Sequence, residues 1–160
     1  MSDRQFVKVY SKSVLFLCTG NYYRSRFAEE LFNHHAAING LNWIASSAAL
    51  AIERCAVNIG ALSPYTLDAL KVRGIQAARA RQMPRPCTVA SLEAADLIIA
   101  LDESEHRSLI SERFVEWTDR VKYWQVKDLD LWQPAVTLGL IEREVAALIS
   151  ALHGSTDETE

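Results

Sequence analysis

The chain has 160 residues, a length that fits one domain, and its 49% hydrophobic and 23% charged content is ordinary for a globular protein. A net charge of −3 argues against nucleic acid or an anionic membrane surface as the main partner, and no apolar run approaches the roughly 18 residues of a membrane span. Three cysteines without regular spacing argue against a disulfide framework and for a reducing, cytoplasmic setting.

Residues 1–12 form a polar segment without the apolar centre of a secretory signal. Val14 to Leu17 is a continuous apolar run, as expected for a strand buried on both faces of a parallel sheet. Arg24 to Asn39 reads as a helix, with Phe27, Ala28, Leu31 and Phe32 at helical spacing and Asn39-Gly40 as its stop. Leu41 to Ser46 is a second short strand. Ser63 is a natural N-cap and Pro64 a natural first-turn residue for a helix that ends at Arg73, before Gly74. Ala95 to Leu101 is a third buried strand, followed by a helix from Asp102, its cap, to Ser111. Val121 to Val126 is a fourth strand. Thr137 to Leu152 is a final helix, patterned by Leu140, Ile141, Val145, Leu148 and Ile149. Residues 154–160 read as a frayed acidic tail, expected to be disordered.

Strands that alternate with helices predict an α/β fold, a doubly wound four-stranded parallel sheet with helices on both faces. Ligands of such sheets bind at the carboxyl ends of strands, where Cys18 lies. The histidines show no metal-ligand spacing: His34 and His35 are adjacent, and His106 and His153 stand alone. All four read as surface or helix-end residues, and neither a metal nor another cofactor is expected.

The chemistry concentrates in Cys18-Thr19-Gly20-Asn21-Tyr22-Tyr23-Arg24-Ser25. A strand ends at a cysteine, and an arginine and a serine open the next helix. A cysteine nucleophile works as its thiolate, which a helix N-terminus and a nearby cation both favour. Backbone N–H groups between Thr19 and Ser25 can grip an oxyanion as a nest. Arg24 adds a bidentate fork for two phosphoryl oxygens, and Ser25 can donate to the sulfur. Gly20 and Asn21 tolerate the left-handed angles of a tight curl. The Cys-x5-Arg spacing alone is weak, because three cysteines and 12 arginines produce it by chance in about one such chain in five. The strand before it, the Gly-Asn inside it and the helix after it supply the discrimination.

With Ala28-Glu29 on the following helix, this run resembles the low-molecular-weight protein tyrosine phosphatase family. The resemblance extends over most of the chain, through Ser47-Ala48-Ala49, Ser63-Pro64 to Gly74-Ile75, and Ala95 to Leu109. It implies a metal-free hydrolase in which Cys18 attacks phosphorus and forms a phosphocysteine. Arg24 and the loop residues Thr19, Gly20, Asn21, Tyr22, Tyr23 and Ser25 would hold the phosphate, while Asn21 and Ser47 keep the loop curled. The resemblance places the general acid at Asp128, here without the family's following proline, and Asp130 is the alternative. Tyr22, Tyr23 and Trp132 would line the mouth, where a flat aromatic wall suits a phenyl ring.

Phosphotyrosine is therefore the default substrate, with phosphoarginine and small phosphomonoesters left open, as is the oligomeric state. Two alternatives remain at this point: a phospho-binding module without efficient turnover, and thiol-dependent arsenate reduction. The second needs further thiols. Tyr23 stands where many family members carry a cysteine that traps an oxidised nucleophile, and Cys55 and Cys87 read as buried structural thiols. Arg26 replaces the family's common proline, and nothing in the sequence accounts for it.

Overall fold

A computed structural model describes Tyr10 and residues 12–158, so the polar segment 1–12 lies almost wholly outside the described residues. Four parallel strands form one sheet in the order β2-β1-β3-β4. They are β1 (Lys12–Cys18), β2 (Trp43–Ala49), β3 (Leu97–Ala100) and β4 (Lys122–Tyr123). Five helices connect and follow them: α1 (Arg24–Ile38), α2 (Pro64–Val72), α3 (Val89–Ala94), α4 (Glu103–Arg113) and α5 (Pro134–Glu158). The expected doubly wound architecture is the one found, and no described helix is long and apolar enough to cross a membrane.

Alternation along β1 divides the core. Val14, Phe16 and Cys18 face a cluster with Phe27, Leu31 and Phe32 of α1 and Ile141 and Val145 of α5. Leu15 and Leu17 face the opposite cluster, with Leu92 of α3 and Leu109 and Ile110 of α4. Because β1 is covered on both sides from Val14 to Cys18, it is apolar at every position of that stretch, which is why its sequence shows no alternation. Each of Phe16, Leu17, Phe27 and Leu31 is fully buried, worth about 1.5–3 kcal/mol apiece relative to exposure.

The chain leaves β1 towards β2 on one side, and β3 pairs on the other, so the strand order reverses between β1 and β3. A crevice opens at the carboxyl ends of strands that diverge in this way. Cys18 ends β1 at that point, and Asp102 follows β3.

Several elements differ from the sequence reading. α3 was not expected; its six residues are held by a capping box between Thr88 and Ser91. β2 runs on to Ala49, because Ser46 to Ala49 keep pairing with Leu15 to Cys18. β4 is only Lys122–Tyr123, since it pairs with β3 alone, although Trp124 and Val126 still donate to Ala100 and Leu101. The described part of the tail is helical: α5 continues through Gly154 to Glu158, and residues 159–160 lie outside the described residues. One glycine in a helix costs only about 1 kcal/mol, too little to stop a long helix already docked on the core. Ser63 and Asp102 cap α2 and α4 as expected, accepting from the N–H groups of Tyr65 and Ser104.

Candidate active site

The loop from Cys18 to Arg24 is shaped by the places its carbonyls go. Cys18 and Thr19 C=O accept from Leu50 and Ala51 N–H, at 2.8 and 2.9 Å. Tyr22 C=O accepts from Ser63 N–H, and Tyr23 C=O from the Thr66 hydroxyl. The peptides are trans, so each N–H points opposite to its C=O. With the carbonyls drawn outward to the β2–α2 segment, the N–H groups of Thr19, Gly20, Tyr23 and Arg24 turn inward. Asn21 makes the tight bend with φ 54°, the left-handed conformation expected of Gly or Asn. Gly20 is needed for a different reason: a Cβ there would lie 2.6 Å from Cys55 Sγ.

Beneath the loop runs a buried polar chain. A hydrogen bond of 3.0 Å joins Cys18 Sγ to Ser25 Oγ, and Asn21 Nδ2 donates to the same Ser25 oxygen. The Ser25 proton is thereby left for an ionised sulfur. Asn21 Nδ2 also donates to Ser47 Oγ at 2.8 Å, and Ser47 donates to Glu29 Oε1 at 2.5 Å. Glu29 is fully buried and held by two cations, Arg26 Nη1 at 2.5 Å and Arg79 Nη1 at 2.7 Å. Arg26 reaches Glu30 as well, at 3.2 Å, and donates to Arg79 C=O. Arg26, unexplained by the sequence, is thus the internal counter-ion of two buried carboxylates.

Above the loop, the Arg24 guanidinium is nearly inaccessible. Its Nη1 donates to Val126 C=O at 2.9 Å, while its Nη2 meets Glu105 Oε2 at 3.0 Å and Asp128 Oδ2 at 3.3 Å. Burial opposes the charge on Arg24, but Cys18, Asp128 and Glu105 together raise its pKa above the ordinary value. Glu105 also accepts from the Thr19 hydroxyl and lies 3.3 Å from His106 Nε2. Burial acts against the Glu105 carboxylate, yet hydrogen bonds from His106 and Arg24 hold its pKa well below the usual carboxylate range.

His106 contradicts the expectation of a surface or helix-end residue: it is fully buried. Its Nδ1 accepts from Asp102 N–H at 3.0 Å, which leaves Nε2 as the protonated nitrogen facing Glu105 and Thr19. Desolvation first, and Arg24 as well, lower its pKa, so the imidazole stays neutral. Among the described residues, no group of three or more His, Cys, Asp or Glu side chains is placed to hold a metal ion.

A cavity of about 550 Å³ opens over the loop, lined by Cys18, Arg24, Asp128 and Asp130 at its polar end. Tyr22, Val57, Ile59, Tyr65 and Leu129 supply its apolar walls. Tyr22 is pinned there by a 2.7 Å bond from its hydroxyl to Ile59 C=O. Tyr23 packs edge-on to Tyr65, and burial pushes its phenol pKa up to about 12. Both candidate acids therefore face one cavity, but only Asp128 touches Arg24. Trp132 does not line the cavity. Asp128 C=O accepts from Leu131 and Trp132 N–H, and the turn so formed presents Leu129 and Asp130 to the cavity instead. Cys87 is buried as expected, but Cys55 is only half-buried and lines this same cavity.

Glu105, His106, Arg79 and Cys55 were not foreseen as parts of the site. The position of Glu105 and His106 just after the buried run Ala95 to Leu101 was the available signal, since that strand neighbours the one ending at Cys18.

Residues 13–153 match the model of the family described as low molecular weight phosphotyrosine protein phosphatase. The chain belongs to this family. It is a phosphatase. A protein-arginine-phosphatase from Bacillus subtilis (strain 168) is 32% identical over 108 residues, 68% of this chain and 67% of that relative. Among solved structures, YfkJ from Bacillus subtilis superposes with a TM-score of 0.77 at 26% identity, covering 93% of this chain and 98% of that one. A low molecular weight protein tyrosine phosphatase from T. tengcongensis gives a TM-score of 0.69 at 26% identity, covering 91% and 99%.

Proposed function

We propose that the chain hydrolyses phosphate monoesters through a phosphocysteine on Cys18, with Asp128 as the general acid and phosphotyrosine as the substrate. The observation that carries this reading is the convergence of Cys18, Arg24 and Asp128 on one cavity, with Arg24 Nη2 and Asp128 Oδ2 3.3 Å apart. The Cys18 thiolate attacks phosphorus from below. The inward N–H groups and the Arg24 fork stabilise the charge that builds on the equatorial oxygens. Asp128 gives its proton to the leaving oxygen and then draws one from the water that cleaves the phosphocysteine. Asp130 is exposed on the same rim, and no contact with Arg24 positions it.

The aromatic and aliphatic walls support a phenyl ring as the group above the phosphate. Tyr22 and Tyr65 offer flat faces, and Val57, Ile59 and Leu129 close the sides. A second reading, phosphoarginine, is favoured by the 32% identical relative named for that substrate. The carboxylates of Asp128 and Asp130 at the mouth could face a guanidinium.

Steady-state hydrolysis of p-nitrophenyl phosphate by the wild type, Cys18→Ser and Asp128→Ala proteins tests the chemistry. Paired phosphotyrosine and phosphoarginine peptides test the substrate. The reading expects activity absent in Cys18→Ser and reduced in Asp128→Ala, with the phosphotyrosine peptide preferred. A preference for the phosphoarginine peptide would transfer the assignment to the second reading.

A further inference from the structure

Cys55 ends a short 3-10 turn, Ile52–Cys55, in the irregular segment between β2 and α2. Its thiol presses on the nucleophile loop, occupying the place that any side chain at position 20 would need. Cys55 and Cys18 line one cavity, whereas Cys87 packs on the far side of the sheet, in the cluster with Leu15 and Leu17. We propose that Cys55 is the resolving thiol that captures Cys18 as a disulfide when a peroxide oxidises the nucleophile. The inference rests on Cys18 being the reactive thiol of the site.

The chemistry balances in two steps. The Cys18 sulfur attacks one peroxide oxygen, the O–O bond breaks, and the leaving hydroxide takes a proton to become water. Cys18 is then a sulfenic acid, oxidised by the two electrons that reduced the peroxide. The Cys55 sulfur, as thiolate, next attacks the sulfenic sulfur. The S–O bond breaks, hydroxide leaves as a second water with the proton Cys55 gave up, and the Cys18–Cys55 bond forms. A dithiol returns both residues to the thiol state.

The surroundings give the two thiols different roles. Burial first, then the negative charges of Cys18, Asp128 and Glu105, raise the pKa of Cys55. At rest Cys55 is therefore held as a neutral thiol that competes for neither phosphate nor peroxide. Val57 and Ile59 are 87% and 85% exposed, so a shift of Cys55 towards Cys18 gives up little packing. Cys55 would thus supply, from the cavity wall it shares with Tyr23, the thiol that Tyr23 does not.

The test treats the full chain with hydrogen peroxide at a small molar excess. Free thiols are then blocked, and the protein is read by intact mass and by peptide mapping without reduction. The wild type is expected to yield a peptide pair joining Cys18 to Cys55, and dithiothreitol is expected to restore its activity. Cys55→Ser and Cys55→Ala are expected to carry sulfinic acid on Cys18 and to stay inactive after dithiothreitol, each judged against its own untreated sample. Cys87→Ser should behave as the wild type. A disulfide through Cys87, no disulfide at all, or full recovery of the Cys55 variants would overturn the proposal. The mass readout requires no turnover, so a failed phosphatase assay and a failed disulfide are separate results.

Discussion

The underside of the Cys18–Arg24 loop and the rim above it are built in opposite ways. Below, Ser25, Asn21, Ser47, Glu29 and Arg26 are all fully buried, and each is tied to the next by a hydrogen bond or an ion pair. Above, Asp128 has a side chain 41% exposed, and Val57 and Ile59 are nearly bare. A buried charge that loses its partner is expensive, whereas an exposed side chain costs little to change. The underside therefore enforces one geometry for phosphate, and the rim is free to vary with the group attached to it.

The largest effect that would confirm this division is at the nucleophile. Cys18→Ser should lower kcat by roughly 10⁴-fold or more while leaving the melting temperature within a few degrees, since only one atom changes. An active Cys18→Ser protein would remove the underside from the chemistry altogether. Next comes the buried ion cluster. Glu29→Gln leaves Arg26 and Arg79 without their common carboxylate, and breaking such a pair costs about 3–5 kcal/mol. Urea unfolding is expected to show a loss in that range, and an unchanged midpoint would mean that Glu30 suffices as counter-ion.

At the rim, Asp128→Ala should slow turnover by about 10²–10⁴-fold without loss of stability. Asp130→Ala should stay within a few-fold of wild type. Equal losses in the two variants would mean that contact with Arg24 does not select the acid. The smallest effect is expected at the apolar wall: Ile59→Ser should raise KM for a phosphotyrosine peptide several-fold and leave kcat unchanged.

Acid sensitivity sharpens the comparison from a third direction. His106 is a base whose folded pKa is lowered, so the fold binds fewer protons than the open chain, and stability falls as pH drops below about 6.5. Glu105 is an acid whose folded pKa is also lowered, so its contribution is complete above about pH 4.3 and is lost on further acidification. Both act in the same sense. Thermal melting from pH 8 to pH 2 should show a loss beginning as pH drops below about 6.5, and Glu105→Gln should flatten the part below about pH 4.3. A wild type equally stable at both ends would refute the burial of a neutral His106 beside Glu105.

The parts of this design that could be read from the sequence are the local ones. An apolar strand, a Gly-Asn turn and an Arg-Ser helix start lie within a dozen residues, and their backbone preferences state the loop directly. Ser47 came only through family resemblance, because its bond to Asn21 joins the loop after β1 to a different strand, β2. Glu105 and Arg24 are 81 positions apart, and no periodicity in either segment announces the meeting. His106 was misread because a single histidine on a helix carries no sign of burial; the Asp102 N–H that holds it is visible only in three dimensions. Arg26 looked anomalous because its partners include Arg79, on a loop beyond α2. Cys55 was assigned to the core by the ordinary habit of free cysteines, and its half-buried place on the cavity wall is a tertiary fact. The helical end of α5 was missed because Gly154 and the polar residues after it have the composition of a tail, and composition does not register a helix already nucleated upstream.

The central claim is that phosphorus passes through the Cys18 sulfur. It is tested most directly by rapid acid quench of the Asp128→Ala protein during turnover of an aryl phosphate, followed by peptide mass analysis. A good aryl leaving group departs without its acid, while hydrolysis of the intermediate lacks its base, so one phosphoryl group should accumulate on Cys18. Turnover that continues with Cys18 unmodified, or a phosphoryl group on any other residue, would contradict the account.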